Sequence, residues 1–79
     1  MWIEKNNKLC LDLKFKDFKE AMVFINKMAE VADQMDHHPE FTSVYNRVSI
    51  TLCTHSAGNV VTELDYRLAR KIDEILSGE

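Results

Sequence analysis

The sequence predicts an α+β fold: a four-stranded antiparallel sheet with two helices packed on one of its faces, in the order ββαββα. Leu9, Leu11, Leu13 and Phe15 alternate with polar or small neighbours, and Val48, Ile50 and Leu52 do the same, which is the period of strands with one buried face. Two other stretches place apolar residues every three or four positions behind capping signals, the pattern of amphipathic helices. Short turn signals separate the strands of each predicted hairpin.

The first hairpin covers residues 2 to 15. A short strand around Trp2 to Lys5 pairs with the Leu9 to Phe15 strand across Asn6-Asn7, because asparagine tolerates the left-handed backbone that a two-residue loop requires. Asp17 then stands three residues before Glu20, an arrangement like a capping box, and opens a helix reaching about Met35. Phe18, Ala21, Met22, Ile25, Met28, Ala29 and Ala32 form its apolar stripe. Val23, Phe24 and Val31 lie off that stripe, either as a broader core contact or as a face buried against another subunit. Pro39 disfavours helical geometry at His38, so the helix ends near the histidines. Phe41 to Tyr45 and Val48 to Thr54 read as the second hairpin, turning at Asn46-Arg47, with His55 projecting from the polar face if the strand continues. After Gly58-Asn59, Thr62 precedes Asp65 by three residues and caps a helix carrying Leu64, Leu68, Ile72, Ile75 and Leu76 on one side, closed by Gly78. The other sheet face carries Cys10, Asp12, Lys14, Ser49, Thr51 and Cys53.

With 79 residues, 46% of them hydrophobic and 29% charged, the chain reads as a single domain spanning residues 1–79, with no repeat or linker to mark a boundary. A domain this small has a thin stability margin and is expected to self-associate, as a homodimer or homotetramer. A net charge of -3, with no basic stripe, argues against direct nucleic-acid binding. The longest apolar run, Ala21 to Ile25, is far too short to span a bilayer, and the start of the chain has no apolar leader core. A soluble cytoplasmic protein is the expectation. Cys10 and Cys53 are spaced unlike a zinc ribbon or a redox pair, so free, buried or half-buried thiols are expected.

Asp36-His37-His38-Pro39 carries the chemistry. Two adjacent imidazoles, with His55 as the one other histidine, offer groups that exchange protons near neutral pH with little bias. Adjacent histidines alone are also read as an exposed polar pair, so the surrounding residues decide. A metal site is the competing use: His37, His38, His55 and Asp33 or Asp65 supply nitrogen and oxygen. Neighbours in extended chain point to opposite sides and no His-x₃-His or Cys-x₂-Cys pair supports them, so no metal is expected. Asp33, one helical turn before His37, is placed to hydrogen-bond it instead.

Asp36-His37-His38-Pro39-Glu40-Phe41, Val44-Tyr45-Asn46, Thr54-His55 and Thr62-Glu63-Leu64-Asp65 together resemble the pterin-4a-carbinolamine dehydratases, also known as dimerisation cofactors of a homeodomain transcription factor. The resemblance covers nearly the whole chain. It implies dehydration of a 4a-hydroxytetrahydropterin to the quinonoid dihydropterin, in recycling of the pterin oxidised by aromatic amino acid hydroxylases, with no cofactor. It further implies that His37, His38 and His55 are the catalytic and pterin-contacting imidazoles, that Asp36, Cys53, Thr54 and Ser56 line the pocket, and that Asp65 supports a histidine. Trp2 is a candidate pocket wall, although core or interface packing is the stronger reading of it, and a capping role alone explains Asp65.

The sequence departs from the family pattern at Phe41, where tryptophan commonly follows His-His-Pro-Glu, and in the loop between His55 and Thr62, one residue longer than usual. The family also carries a further helix ahead of the position of Trp2. The alternative function is a non-catalytic oligomerisation or coactivator-binding module, relying on a protein partner and on outward Val23, Phe24 and Val31.

Overall fold

The structure, a computed structural model, describes residues 1–78. Strands β1 (Ile3–Lys5) and β2 (Lys8–Lys14) are followed by helix α1 (Phe18–Met35), strands β3 (Glu40–Val44) and β4 (Arg47–Leu52), and helix α2 (Glu63–Leu76). The sheet is antiparallel throughout, in the order β1-β2-β4-β3. Its central pairing sets Leu9 opposite Leu52, Leu11 opposite Ile50 and Leu13 opposite Val48, so the period-two apolar residues of both strands share one face. That face meets Ala21, Phe24, Ile25, Met28 and Ala32 of α1 and Leu68, Ala69 and Ile72 of α2 in one core. Fully burying side chains such as Met28, Ile50, Leu68 and Ile72 stabilises the fold by about 1.5–3 kcal/mol each.

Asn6 and Asn7 both adopt left-handed backbone (φ 52° and 61°), closing the first hairpin as expected. Asp17 caps α1 by accepting from the Glu20 N–H at 2.8 Å, while the Glu20 carboxylate accepts from the Lys16 N–H at 3.1 Å rather than from the cap residue itself. Helix α2 ends at Leu76, with Gly78 left-handed (φ 83°) just beyond. No helix among the described residues is long and apolar enough to cross a membrane. Cys10 and Cys53 are free and half-buried.

Several expectations are corrected. The second hairpin turns at Tyr45-Asn46, one residue earlier than predicted: Arg47 already pairs with Val44, and Tyr45 takes the left-handed conformation (φ 52°). Asn46 earns its place differently, donating its side-chain amide to Phe15 O at 3.0 Å while Phe15 N–H donates to Asn46 O at 2.7 Å. On α1, Phe24 belongs to the core, its ring 5.3 Å from that of Phe15, whereas Phe18 and Ala29 are exposed. Phe24 therefore offers no outward surface to a partner. On α2, Leu64 and Leu76 are more than one-third exposed, and Ala69 takes a core position instead.

Candidate functional site

Helix α1 stops at Asp36, which adopts left-handed backbone (φ 52°) and donates its N–H to Ala32 and Asp33 carbonyls, while the His37 N–H reaches Ala32 O at 3.1 Å. Aspartate tolerates this conformation better than most residues other than glycine. The turn sends the two adjacent imidazoles apart. His37 Nε2 lies 2.6 Å from Asp65 Oδ1 at the start of α2, and His38 Nε2 lies 3.2 Å from Asp33 Oδ1 on the helix just left. Asp33, expected to serve His37, serves His38, because the backbone at Asp36 carries His37 across to the other helix.

Asp65 is completely buried, and both of its oxygens are engaged. Oδ2 accepts from the Thr62 N–H at 2.8 Å, completing the predicted helix cap, and from the Thr54 hydroxyl at 2.8 Å. Thr54 Oγ1 also lies 2.6 Å from Thr62 Oγ1. Since the Thr54 proton is committed to Asp65, the Thr62 hydroxyl donates to Thr54. Among the described residues no buried side-chain polar atom lacks a partner. Burial alone would push the Asp65 carboxyl up. The hydrogen bond from His37, those from the Thr62 N–H and Thr54 hydroxyl, and the attraction of His37 outweigh it and hold the carboxyl below its ordinary value of 3.8. An ionised Asp65 only accepts hydrogen bonds, so His37 donates through Nε2 and the proton-accepting nitrogen of its neutral ring is Nδ1.

Strand β4 ends at Leu52, short of the predicted Thr54. A one-turn 3₁₀ helix, His55–Ala57, follows, so His55 leaves the strand instead of continuing its polar face. Thr54 N–H donates to Val60 O at 2.9 Å and pins the loop at its base, and His55 Nδ1 sits 2.7 Å from Asn59 Oδ1.

These elements enclose a cavity of about 280 Å³ lined by Asp36, His37, His38, Cys53, Thr54, His55, Ser56 and Leu64. Every residue expected to contact a substrate thus lines one hollow, with all three imidazoles on its wall. Asp65 lies behind that wall. A larger hollow of about 440 Å³ on the other side of His38, bounded by Asn26, Pro39 and Phe41, holds only that one imidazole and no second proton-transfer group of neutral pH range. Leu64 is an addition; its helical spacing assigned it to the core. Trp2 does not line the cavity and instead donates its indole N–H to Asp73 at 2.9 Å while packing on the core. Among the described residues no three His, Cys, Asp or Glu side chains gather closely enough to hold one metal ion.

The fold and this cavity define a class, a small α+β protein with a histidine-lined hollow at the junction of both helices and the central sheet. The sequence pattern of the family described as pterin 4 alpha carbinolamine dehydratase matches residues 1–75, and the chain belongs to that family. A protein of Sulfolobus acidocaldarius carrying the provisional name pterin-4-alpha-carbinolamine dehydratase is 50% identical over 74 residues, covering 94% of this chain and 80% of its own. One from Thermomicrobium roseum, named in the same way, is 46% identical over 76 residues, covering 96% and 81%. The crystal structure of a transcriptional coactivator/pterin dehydratase from Brucella melitensis superposes with a TM-score of 0.89 at 45% identity, covering 94% of this chain and 80% of that one. A pterin dehydratase-like protein identified as a RuBisCO assembly factor in the alpha-carboxysome shares the fold, with a TM-score of 0.73 at 20% identity and coverage of 92% and 83%.

Proposed function

We propose that this protein dehydrates a 4a-hydroxytetrahydropterin. The carrying observation is that His37, His38 and His55, eighteen positions apart at the extremes, face one cavity of a size close to the lower end of the roughly 300–1,000 Å³ typical of small-molecule sites. In the reaction an imidazolium protonates the 4a-hydroxyl, the C4a–O bond breaks and water departs. A neutral imidazole takes the N5 proton, and the electrons of that N–H bond form the N5–C4a double bond of the quinonoid dihydropterin. Electrons stay within the substrate, so two proton movements are the whole task, and imidazoles perform both near neutral pH. The roles of acid and base belong to the set of three rings jointly. Asp65 acts through His37, orienting the ring and fixing Nε2–H, in the manner of a buried carboxylate behind a histidine base.

Family membership and the names of the relatives support this reading, and with it a place in recycling tetrahydropterin after an aromatic amino acid hydroxylase. Assembly as a homodimer or homotetramer belongs to the same proposal, since β3 leaves a sheet edge open with Phe41 and Val44 exposed. Stopped-flow dehydration of a synthetic 4a-hydroxytetrahydropterin tests the chemistry. His55→Ala, at an exposed ring whose loss spares the core, is expected to lower the rate by about 10² to 10⁴. Wild-type turnover in that variant would sink the proposal.

The second reading, a coactivator-binding module, draws on exposed Phe18 (52%) and Val23 (49%) of α1 and on the dual name of the Brucella protein. Val23→Asp should then abolish capture of a protein partner while leaving dehydration intact; retained capture counts against that face.

A further inference from the structure

We propose that Asn59 is a positioning residue: its amide oxygen accepts the Nδ1–H of His55 and so presents Nε2 of that ring to the cavity as a proton acceptor. The inference rests on the dehydratase reading for its catalytic consequence, though not for its geometry. His55 lines the cavity and Asn59 does not, and the two side chains meet at 2.7 Å through Nδ1 and Oδ1. An amide oxygen has no proton to give, so the hydrogen in that bond sits on Nδ1 and the lone pair of the neutral ring sits on Nε2. A neutral imidazole in water favours the opposite tautomer, with hydrogen on Nε2. The Asn59 contact therefore reverses an intrinsic preference, just as the partner of one ring nitrogen generally decides what the other can do.

The backbone holds that amide in place. Gly58 and Asn59 are successive left-handed residues (φ 92° and 62°). Thr54 N–H bonds to Val60 O at 2.9 Å and Asn59 N–H to Thr54 O at 3.0 Å, so the loop is clamped on both sides of the asparagine. Asparagine and glycine are the residues that adopt this conformation most readily, and of the two only asparagine brings a hydrogen-bond acceptor. The side chain spends that acceptor on the imidazole rather than on its own backbone, the commoner use of a turn asparagine. Asp65 does the same for His37 through the opposite nitrogen, so the two rings expose different atoms: Nδ1 at His37 and Nε2 at His55.

Asn59→Gly keeps the backbone conformation and deletes only the acceptor, and Asn59→Asp restores it. Long-range ¹H–¹⁵N spectra of the histidine ring nitrogens, recorded where the rings are neutral, should show His55 protonated at Nδ1 in wild type and Asn59→Asp, and at Nε2 in Asn59→Gly. Stopped-flow dehydration should show kcat of Asn59→Gly reduced by at least about tenfold with KM little changed, well short of the roughly 10⁴ lost when a triad histidine is held in the wrong tautomer. A wild-type His55 protonated at Nε2, or an Asn59→Gly spectrum identical to wild type, overturns the contact. A reversed tautomer with unchanged kcat overturns the positioning role. Absence of turnover in wild type overturns the reaction assigned to the cavity and the role with it, while the spectra still decide the contact.

Discussion

Two histidine–carboxylate pairs stand side by side in this molecule, and they differ in almost everything except their chemistry. At His37–Asp65 the ring is 11% exposed and the carboxylate not at all, with the remaining oxygen held by Thr54 and Thr62. At His38–Asp33 the side chains are 60% and 84% exposed and the bond is 3.2 Å long. The first pair joins two helices and the end of the sheet, so it is part of the fold. The second lies at the rim, where water competes for both partners and screens their charges. Adjacent residues in sequence thus differ in freedom, His37 as a ring locked by structure and His38 as a ring held only loosely at the surface.

The sharpest way to break the comparison is to delete each carboxylate. Asp65→Ala leaves His37, Thr54 and the Thr62 N–H without their common acceptor, and urea denaturation should show a loss of about 3–5 kcal/mol. Thr54→Val, which removes one buried donor from the same carboxylate, should cost about 1–3 kcal/mol by the same assay. Asp33→Ala should stay within about 1 kcal/mol of wild type. A loss at Asp33 as large as that at Asp65 would erase the distinction.

Acid sharpens it further. The folded Asp65 carboxyl lies below its ordinary value of 3.8. The unfolded state therefore binds a proton more readily, and the stabilisation from this group is complete above that value and is lost as pH falls through the lower folded one. Thermal melts of Asp65→Asn should show a shallower acid decline than wild type over that window.

What was legible in the sequence is what is local. Strand alternation, the Asn6-Asn7 turn and both helix caps each depend on residues a few positions apart, and all of them are present. Element ends and helical phase were less legible, because tertiary contacts choose among near-equivalent options: Phe24 is drawn into the core by Phe15, and Phe18 is left outside. The His37–Asp65 bond spans 28 positions. Asp65 already had a sufficient local explanation as a capping acid, and the structure shows one carboxylate serving both purposes, Oδ2 for the cap and Oδ1 for the histidine. Asn59 was legible as a turn residue and illegible as a partner of His55, since nothing in the spacing says where a turn asparagine aims its amide. The residues lining the cavity, Leu64 excepted, came from family resemblance, and the three-dimensional arrangement brings them together around one hollow.

The central claim is that this hollow, with its three imidazoles, is where a pterin binds. Titration of the protein with a non-reacting 7,8-dihydropterin, followed through the ring resonances of the histidines and the backbone amide resonances of the chain, tests it most directly. Saturable shifts at His37, His38 and His55 together are the predicted result. Shifts confined to His38 and to Asn26 and Phe41, around the larger neighbouring hollow, would contradict the account.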